Sequence, residues 1–125
     1  MLTALLALSL LAAPDIGVDS ITEPDASEES GTTIIPAALI SNSGDSAGSF
    51  GAWFVITSYG SVLYRESLAV AALEPDGDTT LFFPGFFVPY SEDTLTAHCW
   101  VAAIGDSNPQ NDTARLGVSP YPHLP

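Results

Sequence analysis

The chain has 125 residues and a net charge of −13, because 15 acidic residues are opposed by only two basic ones. Its length corresponds to about one domain. A surface this acidic repels the phosphates of nucleic acids and of anionic lipids, so neither is expected as a partner. The single cysteine, Cys99, has no partner for an internal disulfide, so the fold must be stabilised by an apolar core.

The first 13 residues form an apolar run without a charged side chain. A membrane-spanning helix needs about 20 apolar residues, so this run is too short to cross a bilayer. Its length suits the apolar region of a secretory signal, and Ala12 and Ala13 are small enough for a cleavage site. We therefore predict a signal peptide over residues 1–13 and a secreted or cell-surface protein without a stable membrane span. The alternative is that the run forms a buried first strand or helix.

Short runs in which apolar and polar residues alternate recur along the rest of the chain, which is typical of strands. The predicted strands cover residues 15–21, 32–41, 49–57, 62–64, 66–73, 79–83, 94–104 and 112–119. Loops and turns are predicted at residues 23–31, 59–61, 74–78 and 84–91. The run 66–73 also fits a helical turn, but its brevity and its neighbours favour a strand. Pro36 is expected at an edge or a bulge, because proline has no N–H to donate.

Seven or eight short strands without a convincing amphipathic helix predict an all-β sandwich. The domain is expected over residues 14–120, with an irregular tail over residues 121–125. The alternation predicts that these residues contribute to the core: Ile34, Ala38, Ile40, Phe50, Phe54, Ile56, Cys99 and Val101.

Residues 44–48 fit the G-x-S-x-G pattern of a serine hydrolase, with Ser46 in the place of the nucleophile. That pattern requires a helix after the serine, whereas residues 50–56 alternate with period two and indicate a strand. Both histidines follow Ser46, which is the wrong order for a chymotrypsin-like triad. We therefore interpret the segment as a turn and predict no catalytic residues and no enzymatic activity.

The loop before the last strand resembles a calcium loop in composition, through Asp106, Asn108, Asn111 and Asp112. It lacks the central glycine and the final glutamate of an EF-hand, and we favour the alternative that these side chains bond to the backbone and form turns. His98 and Cys99 are neighbours in a strand and point to opposite faces, so they do not easily share a zinc site. No metal or other cofactor is therefore expected.

The predicted loop 84–91 contains three aromatic residues, Phe86, Phe87 and Tyr90. They either form an exposed contact patch or cap the end of the core. A binder of carbohydrate or peptide would need such aromatics beside convergent polar groups. This loop is therefore the candidate contact site of the chain.

The order of five segments resembles the CARDB family, whose name means cell adhesion related domain in bacteria. The segments are DIGVDSI, GTTIIPAALISNSG, FGAWFVI, LEPDGDTTLFFPGF and GDSNPQNDT, and together the resemblance covers residues 15–120. Its most specific parts are Asn42-Ser43-Gly44 after the second strand and Asp106-x-Asn108-Pro109-x-Asn111-Asp112 before the last strand.

The resemblance implies an immunoglobulin-like or fibronectin-III-like antiparallel β-sandwich of about seven strands, found in secreted or cell-surface proteins. It implies no catalytic residues, and it assigns to Asn42 and the Asn111/Asp112 pair the shaping of turns at strand ends. The expected function is a non-enzymatic module for adhesion, protein interaction or spacing. Its expected partners are other extracellular protein modules or surface polymers. The alternative is a small secreted protein that binds carbohydrate or peptide through the loop 84–90.

Overall fold

The computed structural model describes residues 12–91, 93–103, 105 and 112–122, and their regular secondary structure is entirely β. Because apolar side chains alternate with polar ones, each long strand has one face for a core and one for solvent. Ten strands occur in these residues: β1 (Ile16–Glu23), β2 (Ser27–Glu29), β3 (Thr33–Ile34), β4 (Ala37–Asn42), β5 (Gly48–Ser58), β6 (Ser61–Leu73), β7 (Asp78–Phe82), β8 (Phe86–Phe87), β9 (Leu95–Ala103) and β10 (Thr113–Tyr121).

The strands form a sandwich of two main sheets. The larger sheet has the order β2-β10-β9-β5-β6, and the smaller has the order β1-β4-β7. Strands β3 and β8 form a separate two-stranded ribbon. All pairs are antiparallel except β2 with β10, which run parallel. The predicted all-β sandwich is thus confirmed, with more short strands than the expected seven.

The core lies between the two main sheets and is dominated by β5 and β9. Phe54 is fully buried and contacts Phe83 and Tyr64, with ring centroids 5.2 and 6.3 Å away. All the predicted core residues are buried except Ile34, which is partly buried and packs against the core. The alternation of apolar and polar residues therefore correctly predicts which side chains of these strands point into the core.

The long hairpin of β5 and β6 resolves the ambiguity at residues 66–73 in favour of a strand. The hairpin turns through Tyr59 and Gly60, whose φ angles of 47° and 83° fit a two-residue type I′ turn. The strand partners then continue from Ser58 opposite Ser61 to Gly48 opposite Leu73. The neighbouring strand provides hydrogen-bond partners along the whole segment, so a helical turn does not form.

Three predicted segments differ from the structure, each at a short strand. The predicted loop 23–31 contains β2, which pairs with the end of β10. The predicted loop 84–91 contains β8, which pairs with β3. The predicted strand 32–41 divides at Pro36 into β3 and β4, because Pro36 has no N–H for a ladder. Two longer strands also differ: the predicted strands 62–64 and 66–73 form the single strand β6, and the last strand continues to Tyr121, the first residue of the predicted irregular tail.

The described chain enters the sandwich at one end and leaves it at the other. Ile16, at the start of β1, pairs with Asn42, and the turn after Asn42 leads directly into β5. Strand β9 runs antiparallel to β5, and β10 runs antiparallel to β9, so β10 has the same direction as β5. It therefore finishes at the opposite end, where Tyr121 pairs with Glu29.

Candidate functional site

The segment 44–48 forms a turn between two strands, as interpreted from the sequence. Strand β5 begins at Gly48, so no helix follows Ser46. The turn lies close to the start of the described chain, where the Asp45 amide donates to the Ala13 carbonyl at 2.9 Å. A Cβ atom on Gly44 would come within 2.3 Å of that carbonyl oxygen, so this close approach requires glycine. The arrangement is a packed turn without the geometry of a nucleophile elbow.

The Asn42 side chain organises this turn from a buried position. Its Oδ1 accepts hydrogen bonds from the amides of Asp15 and Gly44, at 3.0 and 2.9 Å. Its Nδ2 donates to the carbonyls of Ser46 and Leu73, both at 2.9 Å. The side chain thus connects the start of β1, the turn after β4 and the end of β6. Asn42 shapes a turn at a strand end, which is the role that the resemblance implied.

The predicted aromatic contact patch is only partly exposed, and the prediction was wrong for Phe86, which does not belong to it. Phe86 is 6% exposed and packs edge-on against Tyr64, because β8 turns its side chain toward the core. Phe87 and Tyr90 are 51% and 76% exposed, with ring centroids 5.7 Å apart. The Tyr64 hydroxyl donates to the Pro84 carbonyl and so attaches the segment before β8 to the core. What is exposed is therefore an aromatic pair.

Of the four calcium candidates, Asp106, Asn108 and Asn111 lie outside the described residues. Asp112 immediately precedes β10, and its carbonyl accepts a hydrogen bond from the Val101 amide at 2.9 Å. The expectations of a calcium loop and of backbone-bonded turns at these positions therefore both remain predictions.

The structure brings together a different acidic cluster, Glu23, Asp25 and Glu28, whose carboxylate oxygens lie within 4.8 Å of one another. Burial, followed by repulsion from Asp25 and Glu28, raises the pKa of Glu23 above its usual value. Glu28 also accepts a hydrogen bond from the Asp25 amide at 2.6 Å. The sequence showed an acidic loop here, but only β2 and its pairing define which carboxylates converge. Acidic side chains cluster commonly at surfaces, so the cluster does not by itself define a metal site.

His98 and Cys99 lie on opposite faces of β9, as expected. Cys99 is fully buried, and burial raises the pKa of its thiol to about 12. Its sulfur is therefore a protonated core atom, while the imidazole of His98 lies on the outer face of the larger sheet. The two side chains do not form a shared metal site.

The outer face of the larger sheet carries two rows of side chains that cross the strands β6, β5, β9 and β10. Partners directly opposite each other in a sheet share one face. One row is Ser67, Trp53, Trp100 and Thr113, and the next row is Arg65, Val55, His98 and Arg115. We call these eight residues the tryptophan face.

The aromatic rings of the tryptophan face contact one another. The Trp53 and Trp100 rings are nearly parallel, with centroids 5.9 Å apart and an interplanar angle of 10°. The His98 ring lies 4.9 Å from the Trp100 ring. Trp53 extends over Gly51, where a Cβ atom would come within 2.8 Å of the indole. The missing side chain at Gly51 leaves room for the indole to lie along the sheet.

The charges of the tryptophan face are both positive. Arg65 and Arg115 are exposed at the two ends of one row, with Val55 and His98 between them. Burial, followed by repulsion from Arg115, lowers the pKa of His98, so the imidazole is neutral at pH 7. His98 and Trp100 are two positions apart in one strand, so the sequence places them on one face of it, but it does not show which residues of the neighbouring strands share that face. The signal for this surface was that Trp53, Trp100 and Arg115 lie in predicted strands, although Arg65 falls in the one-residue gap between the predicted strands 62–64 and 66–73.

Within the residues that the structure describes, there is no helix whose length and apolar character would let it cross a membrane.

Comparisons with known proteins identify the fold. No family model matches the sequence, and no curated protein matches it. Among solved structures, the chain is similar to the CARDB domain of the PF1109 protein from Pyrococcus furiosus, described in complex with di-metal ions. The TM-score is 0.67 at 19% identity, over 87% of this chain and 90% of that one.

A second similar structure is a putative beta-galactosidase from Bacteroides fragilis, with a TM-score of 0.57 at 18% identity. The match covers 83% of this chain but 16% of that longer chain, so it concerns a small part of that protein. Neither identity is high enough to transfer an activity. The chain therefore has the immunoglobulin-like β-sandwich fold of a CARDB domain.

Proposed function

We propose that this chain is a non-enzymatic module that works outside the cell in adhesion, protein interaction or spacing. Its partners in this proposal are other extracellular protein modules or surface polymers. The apolar run at residues 1–13 supports export, because it has the length and the small final residues of a secretory signal. The proposal involves no cofactor.

The observation that carries the proposal is the path of the chain through the sandwich. The described chain enters beside Asn42 and leaves beside Glu29, at opposite ends of the sheets. A module with this path holds two attached segments apart by the length of the sandwich. Adhesive and spacing functions need a stable sandwich with this geometry and need no reaction centre.

The absence of catalysis in this proposal is supported by the turn at residues 44–48. Ser46 accepts a hydrogen bond from Asn42 through its backbone carbonyl, and a strand follows it. A hydrolase nucleophile requires a base within hydrogen-bond reach and a site for an oxyanion. The role of this segment in our proposal is to connect β4 with β5.

Export and surface exposure can be tested by locating the protein in the organism that produces it. Antibodies raised against the folded chain should label intact cells or detect the protein in the culture medium. A protease added to intact cells should also remove the signal from cells that remain sealed, as judged by a cytoplasmic marker. Protein found only in the cytoplasm, and protected until the cells are lysed, would contradict the proposal.

The second candidate function is a small secreted protein that binds carbohydrate or peptide through the loop 84–90. It is favoured by the exposure of Phe87 and Tyr90, which form an edge-to-face pair at the surface. Phe86 does not contribute to such a site because it is buried against Tyr64. A binding signal on a glycan array that is lost in the Phe87→Ala and Tyr90→Ala double variant would favour this candidate over the spacer.

A further inference from the structure

The tryptophan face differs in charge from the chain as a whole. The chain has 15 acidic residues and two basic ones, and both basic residues lie on this face. Among the described residues, no acid belongs to its two rows or to the two adjoining rows, which are Ala69, Gly51 and Ala102 on one side and Val62, Thr57, Thr96 and Gly117 on the other. Both arginines of this acidic chain therefore lie on the face that also holds both of its tryptophans.

The described acidic residues do not pair with either arginine. Within the described part of the chain, Arg65 and Arg115 form no ion pair and no hydrogen bond with another side chain. In a chain with a large excess of carboxylates, pairing of the two guanidinium groups is the expected arrangement. Both side chains are exposed, and the described rows of this face carry no acid, so both guanidinium groups can contact an anionic partner.

The geometry of the face suits an extended ligand. Arg65 and Arg115 lie three strand spacings apart, which is about 14 Å between their backbones. The row that contains the two tryptophans has the hydroxyls of Ser67 and Thr113 at its two ends. A ligand that reaches both arginines must therefore cross the four strands beside the aromatic rings.

The strands under the face favour a sugar polymer over a peptide. Strands β5 and β9 are paired on both sides, so their amides and carbonyls are already used in the sheet. A peptide laid across this face would lose water from its own backbone groups without gaining backbone partners. A sugar ring instead places an apolar C–H face against an indole, while its acidic groups reach the arginines and its other hydroxyls stay hydrated.

We propose that the tryptophan face binds an acidic polysaccharide, through stacking on Trp53 and Trp100 and through anion contacts to Arg65 and Arg115. This inference deepens the proposed function and rests on it, since it names the surface polymer that the module contacts. At low salt, the acidic residues elsewhere on the molecule repel a polyanion and so lower its affinity for this face. Their effect is largely screened at about 0.15 M salt, where charge interactions decay over about 8 Å.

The test uses tryptophan emission, because the chain has only two tryptophans and both lie on this face. The full chain is titrated at about 0.15 M NaCl with four polymers: polygalacturonate, dextran sulfate, neutral dextran and poly-L-glutamate. Polygalacturonate or dextran sulfate should shift the emission and bind saturably, and the comparison of these two separates a preference for carboxylate from one for sulfate. Neutral dextran and poly-L-glutamate should bind at least about tenfold more weakly, because each lacks one of the two contacts.

Variants locate the binding site. The Arg65→Gln and Arg115→Gln double variant should weaken binding about tenfold or more. Its thermal melt at about 0.15 M NaCl should stay close to that of the parent, because both side chains are exposed and salt screens the added negative charge. The matched control, Phe87→Ala with Tyr90→Ala, alters the other aromatic surface and should leave the affinity unchanged. Gly51→Ala should also weaken binding, because it displaces the Trp53 indole.

The proposal is overturned if neither acidic polysaccharide binds, if poly-L-glutamate or neutral dextran binds as tightly, or if the double arginine variant binds like the parent. Each of these results is separable from a failure of the proposed function. A protein found outside the cell that binds no acidic polysaccharide refutes only this inference. A protein confined to the cytoplasm refutes the proposed function, whatever the polymers show.

Discussion

Asn42 illustrates how a single buried polar side chain can hold several segments together. Its four side-chain hydrogen bonds join residues that are up to 31 positions away in the sequence. Each net hydrogen bond is worth only about 1 kcal/mol, but a buried backbone group left without its partner costs more. The contribution of Asn42 therefore comes mainly from satisfying the backbone of the turn.

Replacing Asn42 with alanine should lower the free energy of unfolding by about 2–4 kcal/mol, because two amides and two carbonyls lose their partner. Urea unfolding followed by far-UV circular dichroism measures the change. The control is Ser43→Ala, at an exposed neighbouring position, which should change stability by less than about 0.5 kcal/mol. Equal stability of the Asn42→Ala variant and the parent would show that the turn does not depend on this side chain.

His98 makes stability depend on pH in a definite direction. Its pKa is lowered in the folded protein by burial and then by Arg115, while the unfolded chain keeps a value near 6.5. Between these two values the unfolded state binds more protons, so the free energy of unfolding rises with pH there and levels off above about 6.5. The imidazole resonance of His98 should titrate below 6.5, and a His98→Gln variant should lack this part of the pH dependence. A His98 titration above 6.5 would contradict the environment described here.

At the scale of strands, the central pair β5 and β9 connects the core to the outer surface. The inward side of β5 carries Phe54, which contacts Phe83 and Tyr64, and its outward side carries Trp53. The alternation of one strand therefore supplies both the sandwich core and the tryptophan face.

Replacing Phe54 with alanine should lower the free energy of unfolding by about 3–5 kcal/mol, because it leaves a cavity between the sheets. Val62→Ala, on the exposed part of β6, is the control and should change stability by less than about 0.5 kcal/mol. Chemical denaturation of both variants gives the comparison. Similar losses in the two variants would place Phe54 outside the core.

The long strands and the core could be predicted from sequence because many alternating residues define two unlike faces. Strands β2, β3 and β8 could not, because two or three residues have no measurable period and their pairing depends on distant segments. The same limit applies to the surface. The sequence places Trp100 outward, but only the strand order and register bring Trp53, Arg65 and Arg115 beside it.

At the scale of the whole molecule, the net charge of −13 gives self-repulsion that opposes the compact state. Salt screens this repulsion, so the Tm should rise between low and moderate NaCl. Because an acidic cluster alone does not define a calcium site, calcium at equal ionic strength should raise the Tm no more than sodium does. A larger rise with calcium that disappears in a Glu28→Gln variant would instead indicate a specific site at Glu23, Asp25 and Glu28.

The function proposed here depends most on the opposite positions of the two ends of the described chain. Cysteines introduced at Ala12 and Tyr121, in a Cys99→Ala background, allow spin labels or fluorophores to report the distance between the ends. Strand β10 has nine residues, so its length of about 30 Å sets the expected separation. A distance distribution centred at about 30 Å or more agrees with a module that spaces its neighbours. A distribution centred below about 15 Å, half the length of that strand, would place both ends together and contradict this account.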